Sequence, residues 1–449
     1  MSSATREAGP LASEPAAVDL RSLDMRDTLT AELRTLPAGV FPVASPARPD
    51  GRLLVPLLLA LVAAVLASVF VVPTLVEAFR DGKSGEGPLR YVDPASIPGT
   101  MMDETAAREF FKPCIGGPSR FQYDPVAWVV LKPNSVGKPI EWPEHPSGHL
   151  RQDTNNMGFR EDAPTTVEKH GYRILVTGDS HTDGAVYNSE SYANVLEALL
   201  DHALDPSGAT APVEVINAGV GGTGPHNYLA MLQKYLNLKP DVVIAGLYVG
   251  NDFMNALMQS DFFTKRKTRG RDATYKAKLN AALEAYPDLP QQGYNQPYLF
   301  KYCEGDAELA LDKTVEVFEG IARVCADHHM RFVVLVIPCK ADVDGDDDRE
   351  RIEGMLKLLE LSPEDFAVNR WLADHFVERL RGKGIDVLDP TQAMIDEPAP
   401  LYWRKDHHLS TAGHAFVARL LFEHLHDAVA ADIAAAAAAG AGATGNVTR

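Results

Sequence analysis

The feature that most constrains the fold is a series of short apolar runs that alternate with segments of helical spacing, beginning near residue 171. The apolar runs lie at residues 172–177, 213–216, 242–249, 332–337 and 385–388. The intervening segments at 192–203, 228–238, 309–328, 366–381 and 411–428 repeat apolar residues at the period of an α-helix. Apolar runs without polar alternation suit parallel strands that are buried on both faces. The sequence therefore predicts an α/β fold in three layers around a doubly wound parallel sheet.

A second constraint lies closer to the N-terminus. Residues 53–76 read LLVPLLLALVAAVLASVFVVPTLV and contain no charged side chain. A helix of this length spans a hydrocarbon core of about 30 Å. We therefore predict one transmembrane helix at residues 51–77. Basic residues flank both ends of this segment, so its orientation in the membrane stays open.

The other segments complete the predicted domain organisation. Residues 1–50, rich in Ala, Pro and Ser, are expected to form a disordered N-terminal tail. Residues 78–165 are expected to form a linker and a small packed extension. The α/β domain is predicted over residues 166–429, and it contains an insertion at 253–308 whose length suits a lid. Residues 430–449 read as a low-complexity tail.

Charge and cysteine content exclude several classes of function. A formal net charge of -18 disfavours a nucleic-acid partner, because a phosphate backbone attracts Lys and Arg. The four cysteines show no CxxC spacing, which argues against a zinc or redox motif. Two alternatives stay open for Cys303 and Cys339, a disulfide or buried free thiols. The acidic run at 342–348 lacks the glycine that a calcium loop needs at its sixth position, so no metal is predicted.

Polar clusters stand where the predicted strands end. Residues 178–182, 217–222 and 250–252 follow the first three strands, and residues 406–410 open the last helix. Ligands of an open α/β sheet bind beyond the carboxyl ends of its strands. The four clusters are therefore expected to meet at one edge of the sheet.

The residue types in these clusters suit acyl transfer to a serine. Ser180 supplies a hydroxyl, His408 can accept its proton near pH 7, and Asp406 can orient and stabilise the imidazole. The backbone N–H groups of Ser180 and Gly222 and the side-chain amide of Asn251 are the candidate donors to the oxyanion. The sequence thus contains each group that the chemistry requires.

At these residues the sequence resembles the SGNH hydrolase superfamily, whose four blocks appear here in the family's order. GDS ends at Ser180, NAGVGG ends at Gly222, GND is centred on Asn251, and the last block holds Asp406 and His408. The resemblance covers residues 173–425. It implies a flavodoxin-like α/β/α hydrolase fold, a nucleophilic serine in the first block, and oxyanion donors in the second and third.

The sequence departs from the commonest family form in two places. His181 stands where the GDSL form has leucine, and the acid–base pair is DxH instead of DxxH. The DxH form resembles a branch of membrane-anchored proteins that add or remove acetyl groups on polysaccharides. NNMGFR at 155–160 and IPCKADV at 337–343 resemble that branch too. The resemblance makes Asp406 the expected triad acid, with Asp389 as the alternative.

Four neighbours of these groups have supporting or open roles. Asp179 and Asp252 are expected to accept hydrogen bonds from turn backbone and to take no part in the reaction. His181 either lines the pocket or faces solvent. Since His407 and His408 are adjacent, only one of them faces the serine, and His407 is expected to lie beside the site.

These features predict a membrane-anchored serine esterase that acts on an acylated cell-envelope glycan through an acyl-serine intermediate, without metal or organic cofactor. The catalytic domain is expected outside the cytoplasm, in the periplasm or at the cell surface. Three alternatives remain: a polysaccharide O-acetyltransferase, a lipase or thioesterase, and an inactive glycan-binding envelope subunit. The expected partners are the acylated glycan or another small ester, and the membrane. The acyl group, its acceptor and the oligomeric state stay open.

Overall fold

The structure, a computed structural model, describes residues 102–111, 120–205, 207, 213–264, 266, 273–286, 292–303, 305–343 and 349–444. The strands are β1 (Phe121–Asp124), β2 (Trp128–Leu131), β3 (Ile140–Glu141), β4 (His149–Leu150), β5 (Tyr172–Gly178), β6 (Val213–Asn217), β7 (Val242–Tyr248), β8 (Arg331–Ile337) and β9 (Asp386–Leu388). The helices are α1 (Glu104–Phe110), α2 (Ser180–Asp183), α3 (Tyr192–Leu204), α4 (Pro225–Lys234), α5 (Asp252–Thr264), α6 (Ala273–Ala285), α7 (Asn295–Tyr302), α8 (Asp306–Asp327), α9 (Lys340–Val343), α10 (Arg349–Leu359), α11 (Pro363–Phe366), α12 (Val368–Gly382), α13 (Thr391–Ile395) and α14 (Thr411–Thr444). Short 3-10 turns lie at Asn188–Glu190 and Leu236–Leu238.

Five parallel strands form the central sheet, in the order β6-β5-β7-β8-β9. This order is that of flavodoxin-like sheets, in which the chain reverses its direction of winding between the first and third strands. Those strands are β5 and β7 here, and their carboxyl ends border the crevice where such folds bind ligands. The predicted α/β fold with a parallel sheet is confirmed.

Helices cover both faces of the sheet. Strand residues such as Ile174 and Val176 pack with Leu196 of α3 and with Val417 and Leu421 of α14 in one buried apolar cluster. Helices α4, α8 and α12 pack against the strands on the other face. Successive strand residues point to opposite faces, so each strand supplies apolar side chains to both helical layers. Strands β5 and β7 are buried along their whole length, as a sheet between two helical layers requires.

Several element boundaries differ from the prediction. The predicted helix at 228–238 is α4 followed by a 3-10 turn, and α10 was not predicted. Helix α14 continues to Thr444, beyond the predicted end at 428 and into the segment expected to be a frayed tail. Its last turns are rich in alanine, which has the highest helix propensity.

The insertion predicted at 253–308 contains helices in its described parts. Helix α5 begins directly after β7, at Asp252. Helix α7 has a buried side made by residues including Gln296, Tyr298 and Leu299. Gln296 donates to the backbone oxygen of Val249 at 2.9 Å. The described part of the insertion is thus packed onto the end of β7; a lid function stays a prediction.

Two antiparallel hairpins precede the sheet, β1–β2 and β3–β4. Lys234 of α4 forms an ion pair of 2.6 Å with Asp124 of the first hairpin. Trp142, next to β3, packs its ring against Trp403 at a centroid distance of 5.9 Å. The Glu144 carboxylate accepts the backbone N–H groups of Arg404 and Lys405. The first hairpin therefore contacts α4, and the region of the second hairpin contacts the segment that leads to His408.

The predicted transmembrane segment, residues 51–77, lies outside the described residues. Among the helices that the structure does describe, none is both long and apolar enough to cross a bilayer. The predicted tail at 1–50 also lies outside these residues. Cys339 is a buried free thiol, so the structure has no Cys303–Cys339 disulfide, and Cys303 and Cys325 are buried as well.

Candidate active site

Ser180 is the first residue of α2, directly beyond the end of β5. The turn is tight at Gly178, where a Cβ atom would lie 2.0 Å from the Thr182 hydroxyl oxygen. Asp179 caps the helix by accepting the N–H of His181 at 2.9 Å. Ser180 is partly exposed, whereas the residues on either side of it are buried. The strand-to-helix turn therefore presents this hydroxyl at the sheet edge.

Ser180, His408 and Asp406 form a hydrogen-bonded chain. The Ser180 Oγ lies 2.8 Å from His408 Nε2, and His408 Nδ1 lies 2.5 Å from an Asp406 carboxylate oxygen. That oxygen also accepts the His408 backbone N–H at 2.8 Å. Since a carboxylate accepts only, Nδ1 carries the proton and Nε2 is free to take one from the serine. The geometry suits a nucleophile, a base and the residue that orients the base.

Charge favours the same arrangement. Burial would lower the pKa of His408, but the charge of Asp406 and the hydrogen bond to it raise this pKa above its usual value. Burial would raise the pKa of Asp406, yet its interactions with His408 and His407 hold this pKa below its usual value. Asp406 is therefore ionised at neutral pH and stabilises a protonated His408.

Asp389, the alternative triad acid, has a different set of partners. Its carboxylate accepts the backbone N–H of Thr391 at 3.0 Å and the Thr391 hydroxyl at 2.5 Å. Thr391 is the first residue of α13, so Asp389 holds the start of that helix. The structure places Asp406, and not Asp389, on His408.

The second candidate cluster brings glycine backbone close to Ser180. A Cβ atom built on Gly221 would lie 3.5 Å from the Ser180 Cβ. Gly222 follows with φ +74°, a conformation that glycine adopts at low cost. Among the described residues, the Gly222 N–H has no hydrogen-bond acceptor. The N–H of Ser180, at the start of α2, has no acceptor within its own helix either.

Asn251 lies beyond the end of β7 and its side chain faces the same turn. Its Nδ2 donates to Asp179 at 3.4 Å and to Gln292 at 3.2 Å. Both bonds are long for an N–H donor, whose usual range ends near 3.2 Å. An oxyanion at this position would offer the amide a stronger acceptor.

Asp179 and Asp252 both accept backbone N–H groups, Asp179 from His181 and Asp252 from Tyr248. Asp252 also accepts the Tyr228 hydroxyl. Burial raises the pKa of Asp179 to about 6 and that of Asp252 well above its usual value. Neither carboxylate forms a hydrogen bond with the Ser180 hydroxyl, which bonds His408.

His181 and His407 lie beside His408. The His181 side chain is fully buried, so it does not face solvent, and its ring stacks on Tyr248 at a centroid distance of 3.7 Å. The His407 ring lies 4.1 Å from the His408 ring. Burial lowers the pKa of His181, and it lowers that of His407 to about 3, so both rings are neutral at pH 7.

Two arginines that were not assigned a role from the sequence support α2. Arg160 is fully buried and donates to Asp183, to Asn188 and to backbone oxygens of residues 183, 184 and 186. Arg120 donates to both oxygens of the Asp183 carboxylate. The NNMGFR motif pointed to Arg160, whereas no sequence pattern marks Arg120, which lies next to β1. Both hold the helix whose first residue is Ser180.

A serine, a histidine and an aspartate joined at the edge of a flavodoxin-like sheet, with the GDS, NAGVGG and GND blocks around them, define an SGNH-type serine enzyme. Residues 300–446 match the family described as SGNH hydrolase-like domain, acetyltransferase AlgX. The matched segment contains Asp406 and His408. The matched segment, about a third of the chain, is thus similar to an SGNH hydrolase-like acetyltransferase domain. No curated protein matches the sequence.

Several solved structures are similar to part of this chain. A catalytic mutant of the acetylxylan esterase Axe2 from Geobacillus stearothermophilus is 15% identical, with a TM-score of 0.32, covering 57% of this chain and 95% of its own. The acetyl xylan esterase AlAXEase is 16% identical, with a TM-score of 0.31, covering 56% and 99%. A lipolytic protein of the G-D-S-L family from Desulfitobacterium hafniense is 13% identical, with a TM-score of 0.32, covering 56% and 98%.

Proposed function

We propose that this protein is a polysaccharide O-acetyltransferase that carries the acetyl group on Ser180. The observation that carries the proposal is the hydrogen bond of 2.8 Å between Ser180 and His408, within a chain whose residues 300–446 match an acetyltransferase family. The sequence alone favoured hydrolysis. The family match favours transfer, which now stands first, with hydrolysis as the second candidate.

In the first half-reaction, Ser180 Oγ attacks the carbonyl carbon of an acetyl donor and its proton moves to His408 Nε2. Asp406 stabilises the imidazolium. The N–H groups of Ser180 and Gly222 and the Asn251 amide donate to the oxyanion. The tetrahedral intermediate collapses, the bond to the donor's leaving oxygen breaks, and that oxygen takes the proton from His408. The products are acetyl-Ser180 and the free donor.

In the second half-reaction, a sugar hydroxyl attacks the acetyl carbon while His408 Nε2 takes its proton. The same donors hold the second oxyanion. The bond to Ser180 Oγ then breaks and His408 returns the proton to the serine. Water can replace the sugar in this step with the same groups, so hydrolysis and transfer differ in the acceptor that the site admits.

The test measures both outcomes in one reaction. Purified protein is incubated with an aryl acetate and an oligosaccharide acceptor, and acetylated oligosaccharide and free acetate are quantified by mass spectrometry. Transfer predicts acetylated acceptor as the main product, lost in Ser180→Ala. Acetate alone, at a rate independent of the acceptor, would assign the protein to the esterases.

The proposal also includes the location of the reaction. The apolar segment at 51–77 supports a membrane anchor. If the substrate is an envelope glycan, as proposed, the catalytic domain lies outside the cytoplasm. Fractionation of cells that express the full chain, compared with a chain that starts at residue 85, tests the anchor. Recovery of both chains in the soluble fraction would reject it. Protease accessibility in intact cells tests whether the catalytic domain lies outside the cytoplasm.

A further inference from the structure

Three imidazoles meet beside the Ser180 hydroxyl, although they come from two distant parts of the chain. His181 belongs to α2, and His407 and His408 belong to the loop before α14. One ring nitrogen of each lies within 4.8 Å of one ring nitrogen of the other two. The ring centroids of His181 and His408 are 4.9 Å apart. This triplet of histidines is called the imidazole cluster below.

Two members of the imidazole cluster, His181 and His407, have ring nitrogens without a hydrogen-bond partner among the described residues. Both ring nitrogens of His181 and the Nε2 of His407 are buried, and no hydrogen-bond partner for them exists among the described residues. Buried polar atoms of native proteins are nearly always paired, so the unpaired ring nitrogens of His181 and His407 need an explanation. A cation that accepts lone pairs from imidazole supplies one.

We propose that the imidazole cluster binds Zn²⁺ or a similar divalent transition-metal ion, and that the bound ion switches the enzyme off. Imidazole nitrogen is a preferred ligand of zinc, and three histidines with one open position form a common zinc site. Zinc–nitrogen bonds of about 2.0 Å place neighbouring ligand nitrogens about 3.4 Å apart. The rings of the cluster need only a small approach from their present separation.

The inhibitory effect follows from the role of His408. Its Nδ1 is held by Asp406, so Nε2 is the nitrogen available to a metal, and this same nitrogen bonds the Ser180 hydroxyl at 2.8 Å. A carboxylate on the far nitrogen is the usual support for a zinc-bound histidine. A metal on Nε2 takes the lone pair that the serine proton needs. Metal binding and catalysis are therefore mutually exclusive.

The binding test uses the full-length Ser180→Ala protein, so that it is independent of turnover. After chelator treatment, isothermal titration with ZnCl₂ is expected to give one site per chain. Asp406→Asn is expected to weaken this binding by roughly 10–100-fold, the usual effect of losing the partner of a zinc-bound histidine. His202→Gln, an exposed histidine on α3, is the matched control and should bind as the parent does.

The activity test uses aryl acetate turnover with buffered zinc, each variant relative to its own metal-free rate. Saturating zinc is expected to lower the wild-type rate by about 100-fold or more, since it removes the general base, and chelator should restore it. His181→Leu and His407→Gln should raise the half-inhibitory zinc concentration by at least about tenfold. If a variant fails to fold, wild-type protein still serves, because zinc should protect Ser180 from a fluorophosphonate probe.

Three results would overturn the proposal. The first is no zinc binding to Ser180→Ala in the titration. The second is a rate that falls when the chelator is added, which would make the metal an activator. The third is equal zinc sensitivity in His181→Leu, His407→Gln and His202→Gln, which would place the inhibitory ion elsewhere. Because the titration uses no substrate, failure of the acetyl-transfer proposal leaves its result unaffected.

Discussion

The acid–base side and the oxyanion side of the site differ in how completely they are formed. On the acid–base side, Asp406, His408 and Ser180 already make bonds of 2.5 and 2.8 Å. On the oxyanion side, Asn251 makes bonds of 3.4 and 3.2 Å to Asp179 and Gln292. The base is thus set before substrate arrives, whereas the proposed oxyanion contact requires the Asn251 amide to exchange its present partners. The pairing of Asp406 with His408 is set by local sequence, whereas the contacts of His408 with Ser180 and of Asn251 with Gln292 depend on the meeting of distant segments.

The largest expected effect comes from Ser180→Ala, which removes the group shared by both sides. We expect kcat for aryl acetate turnover to fall by roughly 10⁴-fold or more, as for other serine enzymes that lose their nucleophile. Ser207→Ala, at a serine outside the site, is the matched control and should retain activity. Residual turnover of Ser180→Ala above a tenth of the wild-type rate would exclude an acyl-serine route.

The next effect tests which carboxylate completes the acid–base side. Asp406→Asn removes the acceptor that fixes the His408 tautomer, and we expect kcat to fall by about 10⁴-fold. Asp389→Asn should lower it only a few-fold, because Asp389 holds the start of α13. Measuring kcat for both variants under the same conditions shows which carboxylate supports His408. The reverse order of effects would make Asp389 the functional acid.

Asn251→Ala tests the oxyanion side. Loss of one oxyanion donor is expected to lower kcat by about 10²–10³-fold with little change in KM, since the interaction forms only in the transition state. Initial rates over a range of ester concentrations separate the two constants. A rise in KM with an unchanged kcat would show that the amide binds the ground state instead.

The pH profile sharpens the comparison on the acid–base side. His408 must be neutral to accept the serine proton, and its pKa is raised, chiefly by Asp406 against the opposing effect of burial. Activity should therefore fall as the pH decreases through a value above the ordinary 6.5 of histidine. In Asp406→Asn the fall should move to lower pH. If the activity of the wild type and of Asp406→Asn fell at the same pH, Asp406 would not raise the pKa of His408.

The smallest effect comes from the hairpin that supports the acid–base side. Glu144→Ala removes the acceptor of the Arg404 and Lys405 N–H groups, close to His408. We expect the free energy of unfolding to fall by about 1–2 kcal/mol, since two hydrogen bonds are lost and each contributes about 0.5–1 kcal/mol. Denaturant unfolding measures this change. Glu141→Ala, at the neighbouring exposed glutamate, is the control and should unfold like the wild type.

The same contrast separates what the sequence predicts from what it does not. The apolar runs predict the sheet, because burial on both faces leaves a pattern that each strand shows by itself. Asp406 and His408 are two residues apart, so their pairing is local. Asn251 and Gln292 meet through the packing of the insertion, and Arg120 reaches Asp183 from outside the sheet. Such pairs leave no local pattern, because only the folded chain brings them together.

The burial of His181 is another feature of this kind. The sequence left its environment open between pocket and solvent. The ring is buried because it stacks on Tyr248, at the end of β7, and β5 and β7 are neighbours in the sheet. A prediction from sequence needs the strand order to reach this contact. The imidazole cluster therefore emerges only from the structure.

The central claim is that Ser180 carries the acetyl group. Protein mixed with aryl acetate, quenched within milliseconds and digested, can be analysed by peptide mass spectrometry with and without an oligosaccharide acceptor. The account predicts one acetyl group on the peptide that contains Ser180, a faster loss of that group when acceptor is present, and none in Ser180→Ala. An acetyl group on another residue, or turnover with no acetylated peptide at any time, would contradict it.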